Sequence, residues 1–365
     1  MKDLLVRIAE RLMRCPAAPY HEELVAVEVI RICEEFNLHY ELDPFGNFII
    51  RSARSSIKEP IVLAAHMDHP GFLVRRKISP TTVRADFLGG VGDLYFKPGV
   101  KVRLMPGRIR ATLGKRLHPR KRSFEILTRE PITAKPQFAV WDLPEFQFNN
   151  DRILGRVCDD LIGCATILAV LISLRGTKPA ANLMGVLSRA EEVGFQGALA
   201  LAESRRLPRQ SLIISLETSR ELPPVKIGGG VILRVGDRAS IFDSASTRFL
   251  AEVASDLSRH DKKFKFQRGL MSGGTCEATA YQEYGYRSAA VCVALGNYHN
   301  CGQRDTIRAE FVSASDAESM AQLLIAAART WPKSEKLIAR LPHRLARLSR
   351  EGHRQLRKRP LPLGR

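Results

Sequence analysis

The sequence predicts an α/β fold with a parallel central sheet and a separate antiparallel β-domain inserted into it, and three observations predict this. Ile61 to Ala65 is a short, wholly apolar run of the kind that forms a strand buried on both faces of a parallel sheet. From Leu154 onward strand-like and helix-like stretches alternate, the pattern of successive βα units. Between Leu73 and Phe148 the pattern changes. VRRKISP, TTVRADFLG, VKVRLMPG, RIRATLG and RSFEILT are short alternating runs with Gly and Pro turns and no long helical stretch.

Taken in order, residues 1–52 open with two amphipathic helices. The first covers Leu4 to Met13. The second begins around His21, with Leu24, Val25, Val27, Val29 and Ile30 as its apolar side. Leu38 to Ile50 alternates as two strands joined at Pro44-Phe45-Gly46-Asn47. After the insertion, a helix is expected from Asp159, a strand at Leu183, a helix after Gly194 and a strand at Leu212. A helix over Ser246 to His260, a strand at Ser288 and a helix from Ser315 to Thr330 follow. Beyond Trp331, Leu337, Ile338, Leu341, Leu345 and Leu348 recur at helical spacing among arginines, as in an exposed or packing amphipathic helix with a frayed basic end. With 365 residues the chain exceeds one ordinary core. The expected division is a catalytic domain of residues 1–72 and 151–331, an inserted β-domain of residues 73–150, and a basic tail of residues 332–365.

The formal net charge is +19, and it is unevenly placed. After Pro332 there are 11 Lys and Arg against 2 acids, so the tail supplies +9 and the rest +10. A second basic cluster, GKRLHPRKR, spans Gly114 to Arg122. No RNA-binding aromatic motif accompanies either, so solvated faces are expected rather than a nucleic-acid partner. The longest apolar run, Ile162 to Leu174, is too short to span a bilayer and reads as a buried helix, so no membrane partner is expected. The 7 cysteines are dispersed, odd in number and free of Cys-x-x-Cys pairs, which favours a reducing, cytoplasmic compartment over a disulfide framework or a structural zinc cluster.

Five residues of metal-ligand type stand just past the ends of apolar, strand-like runs: His66, Asp159, Glu192, Glu217 and His299. Singly each has an ordinary explanation. Asp159 can cap a helix, Asp160 can complement a helix dipole, and His66 can be a hydrogen-bonded loop histidine. Jointly they fit one crevice, because loops at the carboxyl ends of parallel strands converge there. Two histidines and three carboxylates suit a pair of zinc ions, or cobalt or manganese, with one carboxylate bridging. The adjacent Glu191 and Glu192 would repel each other if buried without a cation. A metal on one leaves the other free as a base.

HMDHPGF, the CDDLIG segment, AEEVGFQGA and the late Tyr298-His299 together resemble the dinuclear metallo-aminopeptidases of the glutamyl aminopeptidase and tetrahedral aminopeptidase type. The resemblance runs through nearly all of residues 1–331, including PYHEE, DPFGN and SGGT at Ser272 to Thr275. It implies a zinc-exopeptidase-like αβα sandwich with a mixed, largely parallel sheet, plus a small β-barrel-like insertion. It further implies that His66 and Glu217 bind one metal, Glu192 and His299 the other, and that Asp159 bridges them. Asp68 would orient His66, and Glu191 would be the general base that activates a metal-bridging water and hands its proton to the leaving amine. An Asp159–Asp160 cis peptide would aim the bridging carboxylate. Peptides would be the substrates, and relatives associate through the insertion from dimers up to twelve-subunit shells.

The chain departs from that family's pattern in several places. Glu217 stands where Asp is usual, Leu161 where Arg follows the Asp-Asp pair, and Cys276 where Asp follows Gly-Thr. Asn300-Cys301-Gly302 replaces the frequent Ser-Pro after the last histidine. The five ligands and the base are intact, while the specificity pocket differs. Buried, inert thiols are the expected state of Cys276 and Cys301. The competing functions are a related metal-dependent deacylase acting on small N-acyl substrates, and a non-catalytic, basic nucleic-acid-binding relative.

Overall fold

The computed structural model describes residues 1–51, 59–176 and 183–359. Helices α1 (Lys2–Met13) and α2 (Glu23–Glu35) lead into a hairpin, β1 (His39–Leu42) and β2 (Phe48–Arg51), and then into the strand β3 (Ile61–His66). Six strands follow: β4 (Gly71–Ser79), β5 (Thr82–Leu88), β6 (Lys101–Met105), β7 (Ile109–Arg116), β8 (Ser123–Thr128) and β9 (Phe138–Trp141). After β10 (Gln147–Asn149) and β11 (Arg152–Gly155) come α3 (Leu161–Leu174), β12 (Leu183–Ser188), α4 (Gln196–Ser204), β13 (Leu212–Arg220), β14 (Val231–Gly236) and α5 (Ser244–His260). The chain continues through β15 (Phe266–Leu270), α6 (Glu277–Glu283), β16 (Arg287–Leu295), β17 (Glu310–Ser313), α7 (Ala314–Thr330), α8 (Ser334–Ile338) and α9 (Arg340–Lys358).

Eight strands form one mixed sheet in the order β1-β2-β12-β3-β13-β16-β14-β15. Its centre, β12-β3-β13-β16, is parallel throughout, so those four strands deliver their carboxyl ends to one edge. Residues on a strand face alternate sides. Ile61, Leu63 and Ala65 pack into the core beneath α1, α2, α3, α5 and α7, whereas Val62 and Ala64 pack toward α4 and α6. The result is an αβα sandwich. Helix α3 is buried on almost every side, which accounts for its unbroken apolar sequence. It lies so close to the sheet that a Cβ on Gly185 of β12 would come within 2.6 Å of Ile167.

The second helix differs from the sequence expectation. Its buried side is Val25, Val29, Ile32 and Cys33, while Leu24 and Val27 are exposed. Spacing of 3.6 residues per turn joins 25, 29 and 32 on one face and leaves 24 and 27 on another. Strands β4 to β9 close into a barrel, antiparallel at every pairing. Its core is an aromatic cluster of Phe72, Phe87, Phe96, Phe124 and Trp141. The barrel strands begin at Gly71 and end at Trp141, and Phe148 belongs instead to a small antiparallel sheet, β10-β11-β17. Two helices, α8 and α9, extend the chain past Thr330.

Candidate active site

His66 is the last residue of β3, and in register with it Ser188 ends β12. On the other side of β3, Ala64 pairs with Ser215, so Glu217 two residues on stands level with His66. Both side chains leave the sheet on the α4 and α6 side, because they share the parity of Val62, Ala64 and Ile213. Glu217 is thus not past the end of its strand but inside β13, which continues to Arg220. Glu191 and Glu192 occupy a tight helical turn after β12, and His299 lies in a turn after β16. Asp159 comes from the loop after β11, so the small antiparallel sheet, not the large parallel one, delivers it. The Asp159–Asp160 peptide is cis, and Asp160 caps α3 by accepting the Gly163 amide at 3.1 Å.

These residues form two triads. His66, Glu191 and Glu217 present ligand atoms within 4.8 Å of one another, and so do Asp159, Glu192 and His299. Asp159 joins them, with Oδ1 lying 3.5 Å from His66 Nε2 and Oδ2 lying 3.4 Å from His299 Nε2. In both histidines Nδ1 faces a carbonyl oxygen, that of Asp68 at 3.1 Å for His66 and that of Gly90 at 2.7 Å for His299. A proton on Nδ1 satisfies each carbonyl and leaves Nε2 as the free ligand atom. Gly90 belongs to the loop between β5 and β6, so the barrel reaches into the site.

Backbone contacts hold the ligand loops. Asp68 is fully buried, and its Oδ1 and Oδ2 accept the amides of Glu191 and Glu192 at 2.9 and 3.1 Å. Glu22 Oε1 accepts the amide of Ala190, and Glu22 Oε2 accepts Arg189 Nε at 2.7 Å. Two carboxylates therefore fix three successive amides leading into the acidic turn, from that of Ala190, which sits in the left-handed region at φ 52°, to that of Glu192. That conformation costs an L-residue about 1–2 kcal/mol, which the surrounding bonds offset. Glu310, also fully buried, accepts the amides of Cys158 and Asp159 through Oε2 and that of His299 through Oε1. His69 spans the same gap, with Nδ1 2.9 Å from the Asp159 carbonyl and Nε2 2.9 Å from Asn300 Oδ1.

The electrostatics call for cations. Burial pushes Glu217 up to about 8 and Glu191 well above the usual carboxylate range, with neighbouring carboxylates adding to the effect. Burial opposes charge on the His66 imidazole, yet Glu191, Asp159 and Asp68 hold its pKa well above the ordinary histidine value. Asp159 Oδ1 and Glu217 Oε1 are buried without a hydrogen-bond partner among the described residues. Such orphaned oxygens, beside free imidazole nitrogens, fit divalent metal ions of the zinc type. A cleft opens beside Glu217, bordered by Arg220, Leu222, Arg234, Met271 and Tyr298. The Tyr298 ring stacks on His299 with centroids 3.7 Å apart.

A profile of the M42 glutamyl aminopeptidase family matches residues 133–323. The chain belongs to this family. M42 peptidases are dinuclear metal enzymes, and this M42 chain is a metal-dependent aminopeptidase, hence a hydrolase. It is similar to FrvX of Escherichia coli (strain K12), at 23% identity over 321 residues, covering 80% of this chain and 86% of that protein. Among solved structures it resembles the TET aminopeptidase of the marine sediment archaeon Thaumarchaeota archaeon SCGC AB-539-E09, with a TM-score of 0.75 and 20% identity over 92% of this chain and 99% of that one. It also resembles the Pyrococcus horikoshii TET1 peptidase, with a TM-score of 0.74 and 21% identity over 89% and 99% of the two chains. That peptidase can assemble into a tetrahedron or a large octahedral shell.

Within this M42 chain the altered positions have visible surroundings. Cys276 is buried against Phe242, Ala278 and Ala290, and burial raises its thiol far above the ordinary range. Cys301 is half-buried and raised by the same cause. Leu161 is the first residue of α3 and lies in the main core. Glu22 and His69 stand in motifs noticed in the sequence, PYHEE and HMDHPGF, yet their roles were not. Asn300 stands out in the sequence only as a departure after His299, and Glu310 and Gly90 carry no signal at all, since a bond to a distant backbone group leaves no local pattern. Glu277 is similar: it lies fully buried and accepts the Ser188 hydroxyl on Oε1.

Proposed function

We propose that this enzyme removes N-terminal residues from peptides at a site in which His66 and Glu217 hold one divalent ion, Glu192 and His299 a second, and Asp159 reaches both. Zinc suits this nitrogen and oxygen donor set best, with cobalt or manganese as substitutes. When bound, the ions polarise the scissile carbonyl and stabilise charge on its oxygen. Glu191 takes a proton from the attacking water and returns it to the leaving amine. Burial keeps its carboxylate basic enough for that task. Asp68 sets the His66 imidazole and holds the amides of both glutamates, so it positions the base and a ligand at once. The observation that carries this reading is the disposition of Asp159, whose two oxygens face the two histidine triads.

The catalytic body in this reading is residues 1–72 with 151–331, and residues 73–150 form the insertion. The barrel supports this by having its own aromatic core. Homo-oligomers built through that insertion are the proposed assembly, by analogy with the shells of the Pyrococcus horikoshii relative. A cytoplasmic location fits 7 cysteines that are all free. The test is a panel of aminoacyl-nitroanilides against N-acetyl amino acids, with zinc or cobalt added to the purified protein. Cleavage of the free-amine substrates is expected, and activity confined to acylated ones would replace the peptidase reading with a deacylase.

A further inference from the structure

Part of this chain lies outside what several of its structural relatives match. Three of the solved M42-like structures are covered over 98 to 99% of their own length but match only 88 to 92% of this chain. The unmatched share is comparable in size to the segment after Trp331. Among the described residues, that segment is tied down at its start. Trp331 is buried and donates from Nε1 to the Glu59 carbonyl at 2.8 Å, and Arg340 pairs with Glu252 and Asp256 on α5. From this anchor α9 runs for 19 residues, about 28 Å, beginning at Arg340, without one buried residue.

Its two sides have opposite chemistry. At 100° per residue, Leu341, Leu345, Leu348 and Leu356 fall within an arc of about 80°. Arg344, Arg347, Arg350, Arg354, Arg357 and Lys358 occupy the other side, and Glu351 is the one acid among them. Leu345, Leu348 and Leu356 are 54, 50 and 70% exposed, so the stripe is not packed on the body. The sequence alone gave an exposed or packing amphipathic helix and no reason to expect a membrane partner; within this chain the leucines are exposed, which leaves the stripe open to a partner.

We propose that α9 docks on an anionic phospholipid surface, with the leucine stripe in the acyl–headgroup boundary and the arginines against the headgroups. Charge selects this occupant. An amphipathic helix with a strongly cationic polar side and exposed leucines lies in the plane of such an interface. A second copy of α9 would cover the leucines but leave the arginines of both helices facing water without an anionic partner. A nucleic acid would take the arginines and leave the leucines in water. No helix among the described residues is long and apolar enough to cross a bilayer, so the contact is peripheral.

The test is co-sedimentation of the full-length protein with vesicles of phosphatidylcholine alone, and with vesicles in which part of it is replaced by phosphatidylglycerol. Binding to the anionic vesicles only is expected, falling as salt rises. Two full-length variants, L345Q/L348Q/L356Q and R344Q/R350Q/R354Q, should each bind roughly tenfold more weakly or worse. Both should keep their helical content and their peptide-hydrolysing rate, because neither touches the active site. Equal binding to neutral vesicles overturns the proposal, and so does full binding by the leucine variant. A leucine variant that changes oligomeric mass but not vesicle binding would assign the stripe to a second copy. Capture of duplex DNA that displaces vesicles and ignores the leucines would assign the arginines to nucleic acid.

Discussion

Glu22 Oε1 accepts the backbone amide of Ala190 at 3.1 Å, across 168 positions of sequence. The same side chain takes the Arg189 guanidinium on its other oxygen. It therefore sets the turn that presents the proposed base. Glu22→Ala should lower kcat about 10- to 100-fold, with KM much less changed. Glu22→Gln keeps one carbonyl oxygen for Ala190 but turns a donor toward Arg189, and should fall between the two. Steady-state kinetics separates this from general loss of folding, which would lower active-site titre rather than kcat per active enzyme.

Glu191→Gln retains the size of the side chain and removes its basicity. We expect metal content near wild type and a loss of about 10²- to 10⁴-fold in kcat. Metal analysis beside turnover measurement checks this. A fully active variant would show that the proton acceptor is another group.

Glu310 joins the Asp159 and His299 loops by three backbone hydrogen bonds. In Glu310→Gln an amide N–H faces backbone N–H groups, and buried donors lose their acceptor. Such a defect costs about 1–3 kcal/mol of stability. Denaturant unfolding should register that loss. Competition with a metallochromic chelator should register weaker metal binding in the same variant.

Gly90 accepts from His299 Nδ1 through its carbonyl, and a Cβ at Gly90 would lie 3.2 Å from both Cε1 and Nδ1 of that ring. Gly90→Ala should displace the imidazole by a few tenths of an ångström. The expected result is loss of one metal more readily than the other in a stepwise metal titration, with the barrel still folded by circular dichroism. Two unchanged binding steps would mean that the loop yields instead of the ring.

Chelation should lower the melting temperature, because Asp159, Glu191 and Glu217 are left buried together without a cation. At a free metal concentration about a hundredfold above Kd, linkage supplies about 2.7 kcal/mol per site. Adding zinc back to the chelated protein should restore both the melting temperature and activity. A melt indifferent to metal would contradict the proposed ligand set.

The sequence showed the parallel strands and most of the ligands because both leave local marks. Ile61 to His66 is an apolar run ended by an imidazole, and Glu191-Glu192 is an acidic pair after another strand. Glu217 was read as standing past its strand, but β13 extends three residues further. Asp159 was expected from the parallel edge and comes instead from the small sheet. On α2, counting apolar residues without their helical angle brought in Leu24 and Val27, which face solvent. Glu22, Gly90 and Glu310 were illegible for a different reason. Each acts on groups more than ten positions away, and Glu22 and Gly90 on groups more than 160 away, through backbone atoms that every residue possesses.

The stitch made by Glu310 bears on the order in which the chain can complete its site. Glu310 opens β17, near the end of the catalytic body, while the first proposed ligand is His66 and the acidic turn leans on Glu22. A ribosome-bound chain that has not yet folded through β17 lacks the clamp on Asp159 and His299. The Asp159 and His299 loops can therefore be joined in this way only after nearly all of the proposed catalytic body has been made.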